Sequence, residues 1–384
     1  MHRSIQRFVL SFLVVTSTLS LLLVAPVLAS ARTTAHRGDL DLTARVRARA
    51  RNQYNVVPLV SDGFFSAPHL DAALVNPWGL ARGPAGPWWV ADNGTEMATL
   101  YSGDGVANPL VVSLPRGASP TGLVFNGGES FVVSDGTSSG PALFLFAGED
   151  GRLFGWNPVV PPPPPSSDAF PVHDASASGA IYKGLAIANT DAGDRLYLTD
   201  FHNQRIDVLD GSFHPVALPE GAFVDVRVPD DFSPFGIQNI MGRIFVTYAK
   251  QDADREDDVA GQGLGFVDVF DVQGLLLGRI ATRGLLNSPW GLALAPQGFG
   301  RFGGDLLVGN FGDGRIVAYE LSDDLRRAVF DGLLSGTNGR PVSIEGLWAL
   351  GFGNNLGAGS SDTLFFTSGP GDEQHGLFGK IEAR

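Results

Sequence analysis

From residue 54 onward the chain is a succession of short apolar runs, rich in Val, Ile, Leu, Phe and Tyr and separated by Gly, Pro, Asp and Asn. Runs of this length and composition predict β-strands joined by turns rather than helices. The runs repeat. A lead residue followed by Gly and an aliphatic residue occurs at Trp78-Gly79-Leu80, Thr121-Gly122-Leu123, Lys183-Gly184-Leu185, Phe235-Gly236-Ile237, Trp290-Gly291-Leu292 and Glu345-Gly346-Leu347. A second run follows each: Trp89–Asp92, Phe131–Asp135, Leu196–Asp200, Ile244–Tyr248, Leu306–Asn310 and Leu364–Ser368. Each repeat then has a third run, such as Leu143–Phe146 in the second and Phe266–Phe270 in the fourth.

The glycines of successive lead motifs are 43, 62, 52, 55 and 55 residues apart. Strand-rich repeats of that period predict propeller blades, one blade per repeat. The expected fold is all-β, a six-bladed β-propeller of four-stranded blades over residues 54–384. The unassigned run Tyr54–Val60 is expected to close the ring as the outer strand of blade six, where Pro58 is tolerated on a sheet edge. The run Pro161–Pro165 falls in the longest interval and reads as an outer loop of blade two.

Residues 1–53 have a different character. Arg3 and Arg7 precede an almost wholly apolar stretch from Phe8 to Ala25, and Ala29-Ser30-Ala31 supplies small residues for cleavage after Ala29 or Ala31. This pattern predicts a signal peptide over 1–31, with an uncleaved anchor as the alternative. Residues 32–53, with Arg45, Arg47, Arg49 and Arg51, read as an Arg-rich flexible linker. No second apolar run of that kind follows, so a secreted monomer, extracellular or periplasmic, with no further membrane span is expected.

Composition narrows the chemistry. The chain has no cysteine, which removes disulfides, thiol nucleophiles and cysteine metal sites. Its net charge is −13, and because residues 1–52 hold eight arginines, the remainder carries −19. Such acidity argues against nucleic acid as a partner.

Several longer strings resemble an uncharacterised family of secreted bacterial six-bladed propellers, within the NHL-repeat and TolB-like fold group. They are Leu74–Leu80, Tyr248–Asp254, Gly265–Phe270, Ser288–Ala293, Gly309–Arg315 and Gly346–Leu350. The resemblance covers about residues 54–382 and implies the fold; it implies no activity.

The starts of the first strands and the ends of the second strands meet at one mouth of a propeller. This nominates Trp78, Asp92, Asn93, Asp135, Lys183, Asp200, Tyr248, Trp290, Asn310 and Glu345 as a ligand-binding mouth. Converging carboxylate and amide oxygens suit a hard cation such as Ca²⁺, and the tryptophans suit stacking on a carbohydrate or another small molecule. Gluconolactonase-like six-bladed propellers use a similar axial set. Against this, Asp and Asn before Gly commonly form turns. The acidic loop 252–258, with Asp252, Asp254, Glu256 and Asp258, is a second candidate for Ca²⁺, although it lacks the glycine and terminal glutamate of an EF-hand. Gly136–Gly140 fits G-x-S-x-G and Gly298–Gly303 fits G-x-G-x-x-G, but both lead into strands rather than helices and read as hairpin loops. The expected function is binding of a small molecule, carbohydrate or protein, or a scaffold role. The alternative is a metal-dependent lactonase- or esterase-like hydrolase.

Overall fold

A computed structural model describes residues 51–384; the signal peptide expected over 1–31 and nearly all of the linker expected over 32–53 lie outside the described residues. Six small sheets make six blades, antiparallel except where the two-residue strand His69–Leu70 runs parallel at the outer edge of blade six. In blades one to five the innermost strand comes first in sequence. Blade one orders Pro77–Arg82, Trp88–Asp92, Met97–Tyr101 and Val112–Ser113. Blade four orders Phe232–Ile240, Arg243–Lys250, Phe266–Phe270 and Leu276–Thr282, and blade five repeats the plan from Pro289 to Leu333. Blade three has three regular strands within Tyr182–Asp210, its outer edge reduced to a bridge between Leu209 and Pro215.

Blade six is closed as expected. Tyr54–Ser61 pairs antiparallel with the third strand, Leu377–Ala383, so the two ends of the described chain share one sheet. Tyr54 anchors the seam: its ring is buried against Phe299, and its hydroxyl donates to the Phe299 carbonyl at 3.0 Å.

Apolar side chains on each blade face its neighbours, and six interblade cores result. Blades one and two, for example, share Trp89, Leu100, Leu123 and Phe144, and blades six and one share Trp88, Tyr101, Phe365 and Phe378. A seventh cluster lies on the axis and is described below.

Two expectations about the repeats are corrected. In blade two the innermost strand Pro120–Phe125 pairs with Phe144–Gly148, not with the run 131–135. Val132–Ser134 instead forms an inserted hairpin with Ser139–Pro141, turning at the Gly136–Gly140 segment. This hairpin and the proline loop account for the 62-residue interval. In blade six the lead residue is Trp348, not Glu345. Leu347 pairs with Ser368 as Pro77 pairs with Asp92 and Pro289 with Asn310. Ala349 therefore stands where the other blades have glycine, while Gly346 serves a turn at φ 63°.

The lead glycine is required where inner strands converge. A Cβ built on Gly236 would lie 2.0 Å from the Trp290 carbonyl oxygen, and one on Gly291 would lie 2.4 Å from that of Trp348. Both neighbours are backbone and cannot step aside. Gly236→Ala is expected to destabilise the protein by about 3 kcal/mol, through overpacking. Ala349→Gly should cost only about 1 kcal/mol. Urea denaturation of the two variants checks the ranking.

Candidate functional site

In every blade the pairing of first and second strands slips at the lead residue, as between Pro77 and Leu80, Tyr182 and Gly184, or Leu347 and Leu350. A bulge of this kind re-aims a side chain. Here it turns the lead side chains Trp78, Lys183, Phe235, Trp290 and Trp348 toward the axis, where they meet. Trp78 and Trp348 stack with ring centroids 3.4 Å apart, and Phe311 stacks on the other side of Trp348 at 4.0 Å. Phe235 and Trp290 meet Trp78 edge-on at 6.4 and 6.0 Å. The predicted mouth is therefore a solid aromatic plug, with Trp78 2% and Trp290 9% exposed.

A polar network lies against this plug. Lys183 is 2% exposed, and its ammonium bonds the Glu149 carboxylate and, at 3.0 Å, Asp257 Oδ1. The same ammonium sits 5.3 Å from the Trp78 ring centroid and 5.9 Å from that of Phe201, within cation–π range. The second Glu149 oxygen accepts from Asn93 Nδ2 at 2.8 Å, and Asn76 Nδ2 donates to Asn93 Oδ1 at 3.3 Å and to Glu373 at 2.7 Å. Trp348 Nε1 donates to Asn76 Oδ1 at 3.1 Å, and Trp290 Nε1 to the Lys183 carbonyl at 2.9 Å. Side chains of blades one, two, three, four and six are thus joined across the axis.

Carboxylates outnumber cations in this network. Burial works against the Lys183 charge, but Glu149 and Asp257 more than offset it and hold the ammonium above its ordinary value. Burial pushes the Glu373 carboxyl up to about 7, assisted by the nearby Glu149 and Asp257 charges and opposed by the Asn76 hydrogen bond. Asp258, next to the Ser288 hydroxyl, is pushed up to about 6, again first by burial.

The structure separates the nominated residues. Trp78, Asn93, Lys183 and Trp290 belong to the axial group. Asp92 is wholly buried within its blade, accepts from Thr99 Oγ1 at 2.8 Å, and is held well above the usual carboxylate range by burial. Asp200, also buried, accepts from Asn203 Nδ2 at 2.8 Å and pairs with Arg205 at 3.1 Å. Asn310 donates to the Leu285 carbonyl and to Asp313 in its own turn. Tyr248 packs between blades three and four. Asp135 sits on the inserted hairpin, where the backbone N–H groups of Ser138 and Thr137 hold its carboxyl below the usual range. Glu345 is exposed and accepts from the Gly371 N–H at 2.9 Å.

The acidic loop divides too. Asp254 and Glu256 are exposed, and Asp252 caps the Glu256 N–H at 3.0 Å, whereas Asp257 and Asp258 return to the axis. Among the described residues, no group of three or more His, Asp or Glu is placed to hold a metal ion.

The reason for the separation is parity. In blades one, two, three and five the last residue of the second strand, such as Asp92 or Asp200, is held within its blade, and the next residue turns onto the axis. Those next residues are Asn93, Glu149, Phe201 and Phe311, of which the sequence reading nominated only Asn93. In blade four that strand runs on to Lys250, and Ala249 joins the axial cluster. In blade six the position is Gly369, where a Cβ would lie 2.2 Å from Asn76 Oδ1, and Glu373 reaches in from farther along the loop.

A carboxyl raised in the folded state contributes stability at low pH that is lost as pH rises through its folded value. For Glu373 that loss runs from its unfolded value near 4.5 up to its folded value of about 7 and is complete above it. Glu373→Gln removes the titration. It should raise the melting temperature relative to the unaltered protein at pH 8 and change it little at pH 5, as differential scanning calorimetry would register. Asp135→Ala should lower the melting temperature only slightly, because the hydrogen bonds its carboxylate accepts from Thr137 and Ser138 stay within one turn of the inserted hairpin.

Comparison with known proteins yields sequence relatives and fold relatives. No protein-family model matches the chain. It is 32% identical over 348 residues to "Uncharacterized protein R648" of Acanthamoeba polyphaga mimivirus, which covers 87% of this chain and 81% of that protein. "Uncharacterized protein L690" of the same virus is 34% identical over 316 residues, 79% of each chain. These relatives are viral and lend no support to a bacterial origin. Among solved structures, a streptogramin B lyase superposes over 88% of this chain and 100% of its own, with TM-score 0.50 and 11% identity; this likeness is one of propeller fold. By the extent and identity of the sequence match, the chain belongs to the family of these uncharacterised mimivirus proteins.

Proposed function

We propose that the protein is an exported binding or scaffold module that engages a ligand or protein partner on the face carrying the Lys183 network. One observation carries the reading: the side chains at the axis are locked to one another. Lys183 is held by two carboxylates and two aromatic rings, and the tryptophans fill the space that a substrate would need above a catalytic floor. The carboxylate oxygens that the hydrolase alternative would recruit at the strand ends, Asp92 and Asp200, are buried within their blades. What faces outward is a rim with Asp257 exposed and Glu149, Asp258 and Glu373 half-buried. That surplus of negative charge favours a cationic ligand or a basic protein surface. Export rests on the pattern of residues 1–31, and N-terminal sequencing of secreted protein should start at Ser30 or Arg32.

The full chain, assayed against lactones and esters with and without Ca²⁺, Zn²⁺ or Mn²⁺, should show no turnover. Metal-dependent turnover that Asp257→Asn abolishes while the variant keeps a cooperative melting transition would replace this reading with the hydrolase.

A further inference from the structure

The axis has a second end. Below the plug, a cavity of about 280 Å³ runs between the inner strands toward the opposite face. Strand alternation makes its walls: two residues beyond each lead position stand Leu80, Leu123, Leu185, Ile237, Leu292 and Leu350, one from each blade. Trp290 contributes to the lining from the plug, and two residues farther along stand Arg82, Phe125, Ile187 and Phe352, toward the exposed side chain of Gln238.

Arg82 is out of keeping with its surroundings. Its Nε donates to the Phe352 carbonyl at 2.6 Å and its Nη2 to the Gly353 carbonyl at 3.0 Å, and its guanidinium lies over the Trp88 ring at 5.7 Å. These partners are neutral. Among the described residues no carboxylate pairs with it, and burial alone lowers its pKa. A half-buried guanidinium normally finds an anion, because desolvating an uncompensated charge is costly. The carbonyl bonds fix the fork in place and leave N–H groups for a further acceptor.

We propose that this cavity is a binding site for a small apolar carboxylate, whose tail fills the aliphatic collar and whose carboxylate is held by Arg82. The lining is mixed: aliphatic side chains form the collar, while polar groups, with Arg82 and Gln238 at the far end, make up the larger share of its surface. Apolar side chains with a few placed polar groups are the usual make-up of a small-molecule site. The volume lies just below the ~300–1,000 Å³ range of such sites, which favours a short to medium-length chain. A guanidinium held in a fixed orientation favours the planar carboxylate over a hydroxyl. This site is separate from the acidic face, and neither reading depends on the other.

Isothermal titration calorimetry of the full chain with octanoate tests it, with acetate and 1-octanol as the head without the tail and the tail without the charge. Saturable octanoate binding is expected, at least about tenfold tighter than either control. Arg82→Lys should retain charge but lose part of that affinity, because an ammonium cannot keep both carbonyl bonds and present a planar fork. Arg82→Gln should lose about tenfold for octanoate while leaving 1-octanol unchanged. Ile187→Phe, which adds a ring at a partly exposed wall position, should weaken both and gives an independent check if the arginine variants fold poorly. Absence of saturable octanoate binding to the unaltered protein would overturn the proposal, as would octanoate affinity that is insensitive to both Arg82→Gln and Ile187→Phe.

Discussion

The close approach of inner strands around the axis is the constraint from which the rest follows. Where the carbonyl of a lead residue lies against the preceding blade, as Trp290 does on Gly236 and Trp348 on Gly291, there is no room for a side chain. Threonines of the second strands reinforce the contact: Thr199 Oγ1 donates to the Phe235 carbonyl at 2.7 Å, and Thr367 Oγ1 to that of Trp78 at 2.6 Å. The Thr367 bond crosses the seam where blade six meets blade one, at the blade whose lead motif carries Ala349. The ring thus closes at its centre through backbone contacts as well as at its rim through the Tyr54–Ser61 strand.

Such convergence leaves the lead side chains one direction to take, and the bulge at each inner strand sends them there. Large aromatic residues at four of those positions fill the axis themselves, so the fold plugs one end of its own channel. Lys183 is tolerated in that apolar company because carboxylates from neighbouring blades reach it. The same geometry two residues along each strand gives an aliphatic collar, and at the far end it presents the Arg82 guanidinium, which has no carboxylate partner among the described residues. Two ends of one axis therefore differ in chemistry: acidic and closed at one, an aliphatic collar with an arginine at the other.

The blade count, the all-β class and the closure strand were legible because they follow from a period and from glycine, which a strand accepts only for a reason. Two irregularities hid behind that regularity. Ala349 satisfies the close approach well enough to replace glycine, so the neighbouring Gly346, needed for a turn, drew the sixth lead motif three residues out of place. The hairpin at 132–141 has the composition of a second strand but packs between blades two and three. The site was legible only in part. Trp78, Trp290 and Lys183 sit at lead positions fixed by the repeat, whereas Glu149 and Phe201 follow strand ends by one residue, a parity that composition does not reveal. Asp257, Asp258 and Glu373 arrive from loops of unequal length. No spacing in the chain announces them.

The central claim is that the axial groups form one interlocked unit, with Lys183 held by its carboxylate partners rather than merely near them. A double-mutant cycle with Lys183→Met and Glu149→Gln, read by urea denaturation at pH 7, measures this directly. The account predicts a coupling of at least about 1 kcal/mol between the two residues. Single effects that add to within about 0.5 kcal/mol would contradict it.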